Sequence, residues 1–443
     1  MTDILAETAL QAYRGSGRLL APFAGWLLDA RTRRGKEDPA RRGERLGRAS
    51  IERPNGPLVW VHAASVGETM SVLPVVDWLA TSGLGVLLTS GTVTSATLAA
   101  TRLPVGAFHQ YVPIDLAPFI SRFLDHWQPM AALFVESEIW PTTVTELDRR
   151  KIPQVLLNGR LSAKSLARWL TMPRLARSLF GRFSLVLAQS QPDAARFAAL
   201  GVTDLKVTGN IKFDCQPLGV DLAELTRLRR LIRHRPVLLA ASTHPGEESI
   251  IADVTRRMAA SVPGLLTIIV PRHPDRRGDI VKELEAARLD VAIRSLGQDP
   301  GLETDIYLAD TLGELGLFYR LAPVAFIGGS LVPIGGHNPI EAAQLQTALL
   351  HGPDVHNARD IFAALDTGGG ARLVHDAAEL ANAAAQLLTD PQAATAMAKA
   401  AADIVLSSRG ALDRTRAFLS DRVIPGLSPT DLVKSSDRGQ ATA

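Results

Sequence analysis

The sequence is poor in cysteine, lacks long apolar runs and carries almost no net charge. Cys215 is the single cysteine in 443 residues. That excludes a disulfide framework and any thiolate zinc site, and fits a reducing, cytoplasmic-side setting. A formal charge of +3 is too small for a bulk nucleic-acid binder, so no nucleic-acid partner is expected. A spanning helix needs about 20 apolar residues. The unbroken apolar stretch at residues 19–28 is half that length, and no suitably placed small-residue cleavage site makes it a secretory signal. What is present is a 46% hydrophobic composition, too apolar for a disordered chain. The length suits two domains of about 200 residues each.

The charge that exists is concentrated. Residues 31–48 hold Arg31, Arg33, Arg34, Lys36, Arg41, Arg42, Arg45 and Arg48 against Glu37, Asp38 and Glu44. Just before them lies the apolar stretch with Trp26. An apolar segment followed by a polybasic run suits an interfacial helix on an anionic membrane surface. The plainer alternative is a solvated basic face on a helix packed against the first domain. Residues 1–48 are therefore expected to associate with a membrane as a peripheral or monotopic segment.

Beyond this segment, short apolar runs alternate with amphipathic stretches. Strands are expected at 58–62, 86–89, 108–112, 131–135, 155–157 and 185–188, with helices at 68–79, 93–101, 116–127 and 142–151. The pattern restarts after Arg235, with strands at 237–241, 265–270, 305–308, 324–327 and 348–350. Strands alternating with helices mean βαβ units and parallel sheets. The expected fold is α/β, with two Rossmann-like domains facing across a cleft, 49–215 and 216–421. The join lies within 209–235, where Gly209, Pro217 and Gly219 break the pattern. The alanine-rich segment 379–404 reads as a packed helix pair, and 422–443 as a loose polar tail.

Ligands in open α/β sheets bind at the carboxyl ends of strands, and the informative motifs all follow strands. Ser65-Val66-Gly67-Glu68 opens a helix. Its glutamate either complements the helix dipole or serves as a general base. Glu136-Ser137-Glu138 offers either a helix-cap partner and a surface charge, or a carboxylate in the cleft. Arg160, in Asn158-Gly159-Arg160, faces either an anionic substrate or one of those glutamates. Lys212, in Gly209-Asn210-Ile211-Lys212-Phe213-Asp214, is either a counter-ion for a charged donor or the partner of Asp214.

In the second half, Ser242-Thr243-His244-Pro245-Gly246-Glu247-Glu248 offers small polar donors to an anion at a helix start. Arg272, in Pro271-Arg272-His273-Pro274, suits rigid bidentate phosphate binding. His244 and His273, each taken alone, read as structural. Four glycines within 328–336 let the backbone approach a ligand closely. The helix that follows can receive a phosphate, and Glu341 is placed to accept from vicinal ribose hydroxyls. This run is neither a dinucleotide fingerprint nor a P-loop.

Together these strings, with Asp310-Thr311-Leu312-Gly313-Glu314-Leu315, resemble the 3-deoxy-D-manno-octulosonic acid (Kdo) transferases over residues 18–420. The resemblance implies an inverting glycosyltransferase of the two-Rossmann GT-B fold. It implies transfer of Kdo from CMP-Kdo to a lipid A precursor on the cytoplasmic face of the inner membrane. It implies Glu68 as general base and Glu136 with Lys212 as the pair stabilising the transition state. Pro271 and Arg272, then Leu312, Gly313 and Glu314, then Asn338, Pro339, Ile340 and Glu341, would contact CMP. A monophosphate leaving group and the lack of a DxD motif at a strand end point to catalysis with no metal and no cofactor. Two other readings are a UDP-sugar 2-epimerase on the same fold and a catalytically dead lipid- or nucleotide-binding protein.

Overall fold

The computed structural model describes residues 4–427. The chain divides into two compact units. One runs to Cys215 and resumes at Arg409; the other is Gln216–Ser408.

The first unit holds β1 (Leu58–His62), β2 (Gly85–Ser90), β3 (Ala107–Tyr111), β4 (Ala131–Val135), β5 (Gln154–Gly159), β6 (Leu185–Ala188) and β7 (Leu205–Val207). They form one parallel sheet in the order β3-β2-β1-β4-β5-β6-β7. Every residue of β1 and β4 is buried, because helices cover both faces of such a sheet. The pleat sends alternate side chains to opposite faces. Leu58 and Trp60 join Ile120, Phe123 and Phe134, while Val59 and Val61 join Val72, Val76 and Leu133. Trp60 packs at 4.7 Å from the Phe123 ring and 5.3 Å from Phe134.

The second unit holds β8 (Val237–Thr243), β9 (Leu266–Pro271), β10 (Val291–Ile293), β11 (Ile306–Leu308), β12 (Val324–Ile327), β13 (Ala348–His351) and β14 (Ala371–Leu373). They too are parallel, in the order β10-β11-β9-β8-β12-β13-β14. The strand order reverses between β1 and β4 in the first sheet and between β8 and β12 in the second, where β11 also inserts between β9 and the edge strand β10. The crevice beyond the strand ends at such a reversal is where open sheets bind ligands.

Two expectations need correction. The second unit ends at Ser408 rather than 421, because the helix Ala411–Arg422 packs on the first unit. The Asp214 carboxylate accepts from the Gly410 and Leu412 amides, both at 2.7 Å, capping that helix from a distant part of the chain. The expected tail at 422–443 lies outside the described residues from 428 onward. Before that, Val423 and Ile424 are buried with Leu419 in the first unit's core.

The basic run is also less free than its composition implies. Arg45 and Arg31 pair with Glu37, Arg41 with Glu44, and Arg42 with Asp29. Arg41 and Arg45 also lie over the Tyr111 ring at 4.8 and 5.7 Å. The apolar stretch, by contrast, is turned outward: Leu19 is 77% exposed, Phe23 67% and Trp26 72%. Among the described residues no helix is long and apolar enough to cross a membrane.

Candidate active site

In the first unit the cluster begins with a capping box. Ser65 caps the helix Val66–Thr81, its hydroxyl accepting from the Glu68 amide at 3.3 Å. The Glu68 carboxylate reaches back to the Ala64 amide and the Ser65 hydroxyl, both at 2.8 Å. The helix-start reading of Glu68 is thus met by these bonds. Burial raises the Glu68 pKa above its ordinary value, and the charges of Glu136 and Glu138 add to the rise against the opposing hydrogen bonds. A carboxylate destabilised in its charged form is a stronger proton acceptor than an exposed one.

Glu136 follows β4 in the left-handed region, at φ 61°. That conformation costs a residue with a side chain roughly 1–2 kcal/mol. The turn is held by the Glu136 amide donating to the Leu157 carbonyl at 2.9 Å. Its carboxylate accepts from Lys212 Nζ at 2.6 Å. Lys212 therefore does not pair with Asp214, which is spent on the C-terminal helix. Glu138 is no helix cap either. It accepts from the Trp140 indole at 2.8 Å, with His62 Nε2 3.5 Å away. Burial pushes Glu138 up, but the His62 imidazole and the indole outweigh it and hold the carboxyl below its ordinary range.

In the second unit the turns after β8 and β12 are sewn together by carboxylates. Glu247 accepts from the His244, Gly329, Ser330 and Leu331 amides at 2.7–3.1 Å. Glu248 takes the Thr243 hydroxyl at 2.9 Å and the Arg276 guanidinium at 2.8 Å. The His244 amide and Thr243 hydroxyl, expected as donors to an anion, are thus satisfied within the protein. Gly328 serves backbone proximity instead: a Cβ there would meet the Ser242 carbonyl oxygen at 2.5 Å. The helix after the glycines is only Ile340–Gln344, and its Ile340 amide donates to Asn338 Oδ1 at 3.1 Å.

The free positive group is Arg272. Its amide donates to the Thr243 carbonyl at 3.0 Å, while its side chain is exposed and has no ion pair among the described residues. Its charge acts on His244, His337 and Glu341. Burial raises the Glu341 pKa against the Asn338 hydrogen bond and the Arg272 charge. Glu314 is committed elsewhere: Arg294 and Thr311 hold it, and Arg294 lowers its pKa. Leu312 beside it is 81% exposed. Pro271 ends β9, and the Ile340 side chain lies in the core.

With this geometry in view, comparison with known proteins is decisive. Residues 40–215 match the family model for 3-deoxy-D-manno-octulosonic-acid transferase (kdotransferase). The 3-deoxy-D-manno-octulosonic acid transferase of Rickettsia bellii is 36% identical over 375 residues, covering 84% of this chain and 89% of that one. That of Haemophilus influenzae is 34% identical over 402 residues, covering 89% and 93%. The chain belongs to the Kdo transferase family. The transferase is thus a glycosyltransferase with two parallel α/β sheets. The structure of a UDP-GlcNAc 2-epimerase from Neisseria meningitidis bound to UDP-GlcNAc superposes with a TM-score of 0.52. It covers 80% of this chain and 99% of that one at 16% identity, which speaks to fold alone.

These clusters also contain residues that the sequence did not mark out. His62 beside Glu138, Glu247 at the centre of the second unit's turns, and His337 against His244 were not singled out. Glu247 is the first residue of its helix, after the N-cap Gly246, and no capping pattern in the sequence marks the amides it gathers.

Proposed function

We propose that the transferase moves Kdo from CMP-Kdo to a hydroxyl of a lipid A precursor by one inverting displacement. Glu68 takes the proton of the acceptor hydroxyl as its oxygen bonds to the anomeric carbon. The bond from that carbon to the phosphate oxygen breaks, and its electron pair leaves with CMP. The transition state has oxocarbenium character. Lys212, oriented by Glu136, supplies fixed positive charge as negative charge develops on the leaving group. Arg272 binds the phosphate, and Glu341 with Asn338 receives the ribose hydroxyls. Pro271, Leu312, Gly313, Pro339 and Ile340 shape the nucleotide site through their backbone. Glu314 contributes by fixing its loop through Arg294 rather than by touching CMP.

The observation that carries this reading is the state of Glu68. It is a carboxylate at the end of β1, raised in pKa by burial and by Glu136, whose own charge is met by Lys212 at 2.6 Å. The outward-facing Leu19, Phe23 and Trp26 support docking on an anionic membrane surface, at the cytoplasmic side of the inner membrane, where a lipid acceptor resides.

The test is a product assay. Purified protein is incubated with CMP-Kdo and a tetraacylated lipid A precursor, and separately with UDP-GlcNAc, with chelator present and absent. The expected result is a lipid mass increased by Kdo, unaffected by chelator, and no change in UDP-GlcNAc. Epimerised UDP-GlcNAc with no glycosylated lipid would overturn the proposal.

A further inference from the structure

His244 and His337 come from different turns, after β8 and β12. Glu247 gathers the amides of both turns on one carboxylate, and the lack of a side chain at Gly329 leaves room for two rings. A Cβ there would stand 3.2 Å from His337 Cδ2 and 3.4 Å from His244 Cδ2. The rings lie 6° from parallel with centroids 5.0 Å apart, and their Nε2 atoms meet at 2.8 Å. His273 stands edge-on to His244 at 5.8 Å.

A hydrogen bond between two imidazole nitrogens needs one N–H and one lone pair. The ring that accepts at Nε2 must then carry its proton on Nδ1. The pair holds two protons when neutral and three when singly charged; a fourth would set two N–H groups against each other. Neither Nδ1 has a hydrogen-bond partner among the described residues. The neutral pair thus offers one Nδ1–H and one Nδ1 lone pair, and the charged pair offers two Nδ1–H donors.

The surroundings favour the neutral form at rest. Burial comes first, followed for His244 by His273, Arg272 and Arg276, with Glu248 opposing. For His337 burial is followed by Arg272, His244 and His273, and its pKa falls to about 4. Glu248 is itself tied to Arg276, so little negative charge remains to hold a proton on the pair. An anion arriving beside Arg272 reverses that balance.

We propose that His244 and His337 form a proton-uptake pair, which gains one proton when the phosphate of a nucleoside monophosphate binds beside Arg272 and then donates from both Nδ1 atoms. This rests on the reading that the second unit seats the CMP moiety. The proton comes from solvent, and no covalent bond changes.

The test is calorimetric titration of the whole protein with CMP at pH 7.5 in buffers of different ionisation enthalpy. We expect uptake of about one proton per CMP bound, and none with cytidine, which lacks the phosphate. His337→Gln and His244→Gln should still bind CMP, about tenfold more weakly, with the uptake abolished. Should either variant fail to fold, ¹⁵N-histidine spectra of the unmodified protein serve instead: with CMP bound both Nδ1 signals must stand at the protonated position, where without it only one proton is shared between them. CMP binding without proton exchange, or equal uptake with cytidine, overturns the pair's role and leaves the CMP site standing. Absence of CMP binding overturns both.

Discussion

The two units place ionisable clusters at equivalent points, the strand ends beside each sheet reversal, yet they use carboxylates in opposite ways. In the first unit Glu68 keeps its pKa raised despite two hydrogen bonds, and Glu136 holds a lysine. In the second, Glu247, Glu248 and Glu314 are consumed by amides and arginines, leaving Arg272 and the imidazoles as the open groups. Burial raises the pKa of Glu247 and Glu341 as it does that of Glu68, so the units differ in partners: four amides close off Glu247, whereas Glu68 makes two hydrogen bonds and stands near two further carboxylates. On the proposed function, the first unit removes a proton and the second holds an anion.

The contrast is broken most strongly at the ion pair. Lys212→Met should lower kcat about 10²–10³-fold while CMP affinity stays within twofold. Arg272→Met should do the reverse, raising the donor KM more than it lowers kcat. Steady-state kinetics with CMP-Kdo separates the two. Loss of CMP binding in Lys212→Met would erase the division of labour.

Next comes Glu247→Ala, which strands the buried amides of Gly329, Ser330 and His244 and the part-buried amide of Leu331. At roughly 1 kcal/mol or more for each unsatisfied buried donor, urea unfolding should show a loss of about 3 kcal/mol or more. Glu68→Ala, the matching change in the first unit, removes only a capping interaction. It should cost about 1 kcal/mol of stability while abolishing transfer. Similar stability losses in both variants would contradict the distinction.

The central strands were legible in the sequence because burial on both faces makes them continuous apolar runs. Those read at 58–62, 131–135, 185–188 and 324–327 coincide with β1, β4, β6 and β12. The strands β7, β10 and β14 went unread, being three residues long and partly exposed at or near sheet edges, so no apolar run marks them. Within the site, the strand-end turns were visible as motifs, but the pairings were not. Lys212 lies 76 residues from Glu136, and His337 lies 93 from His244; separations of that size leave no local pattern. Asp214 stands two residues from Lys212 and looked like its partner, yet it serves a helix that starts near 410.

The central claim is that Glu68 is a base whose affinity for protons is set by burial and by Glu136. It is tested most directly by the pH dependence of kcat/KM, measured in the unmodified protein and in Glu136→Gln. The base must be ionised, so activity should fall tenfold per pH unit below its pKa. In the unmodified protein that limb should lie above the ordinary glutamate value of about 4.3, and in Glu136→Gln it should move lower, because a neighbouring negative charge is gone. A limb at the same pH in both proteins, or no acidic limb at all, would contradict the account.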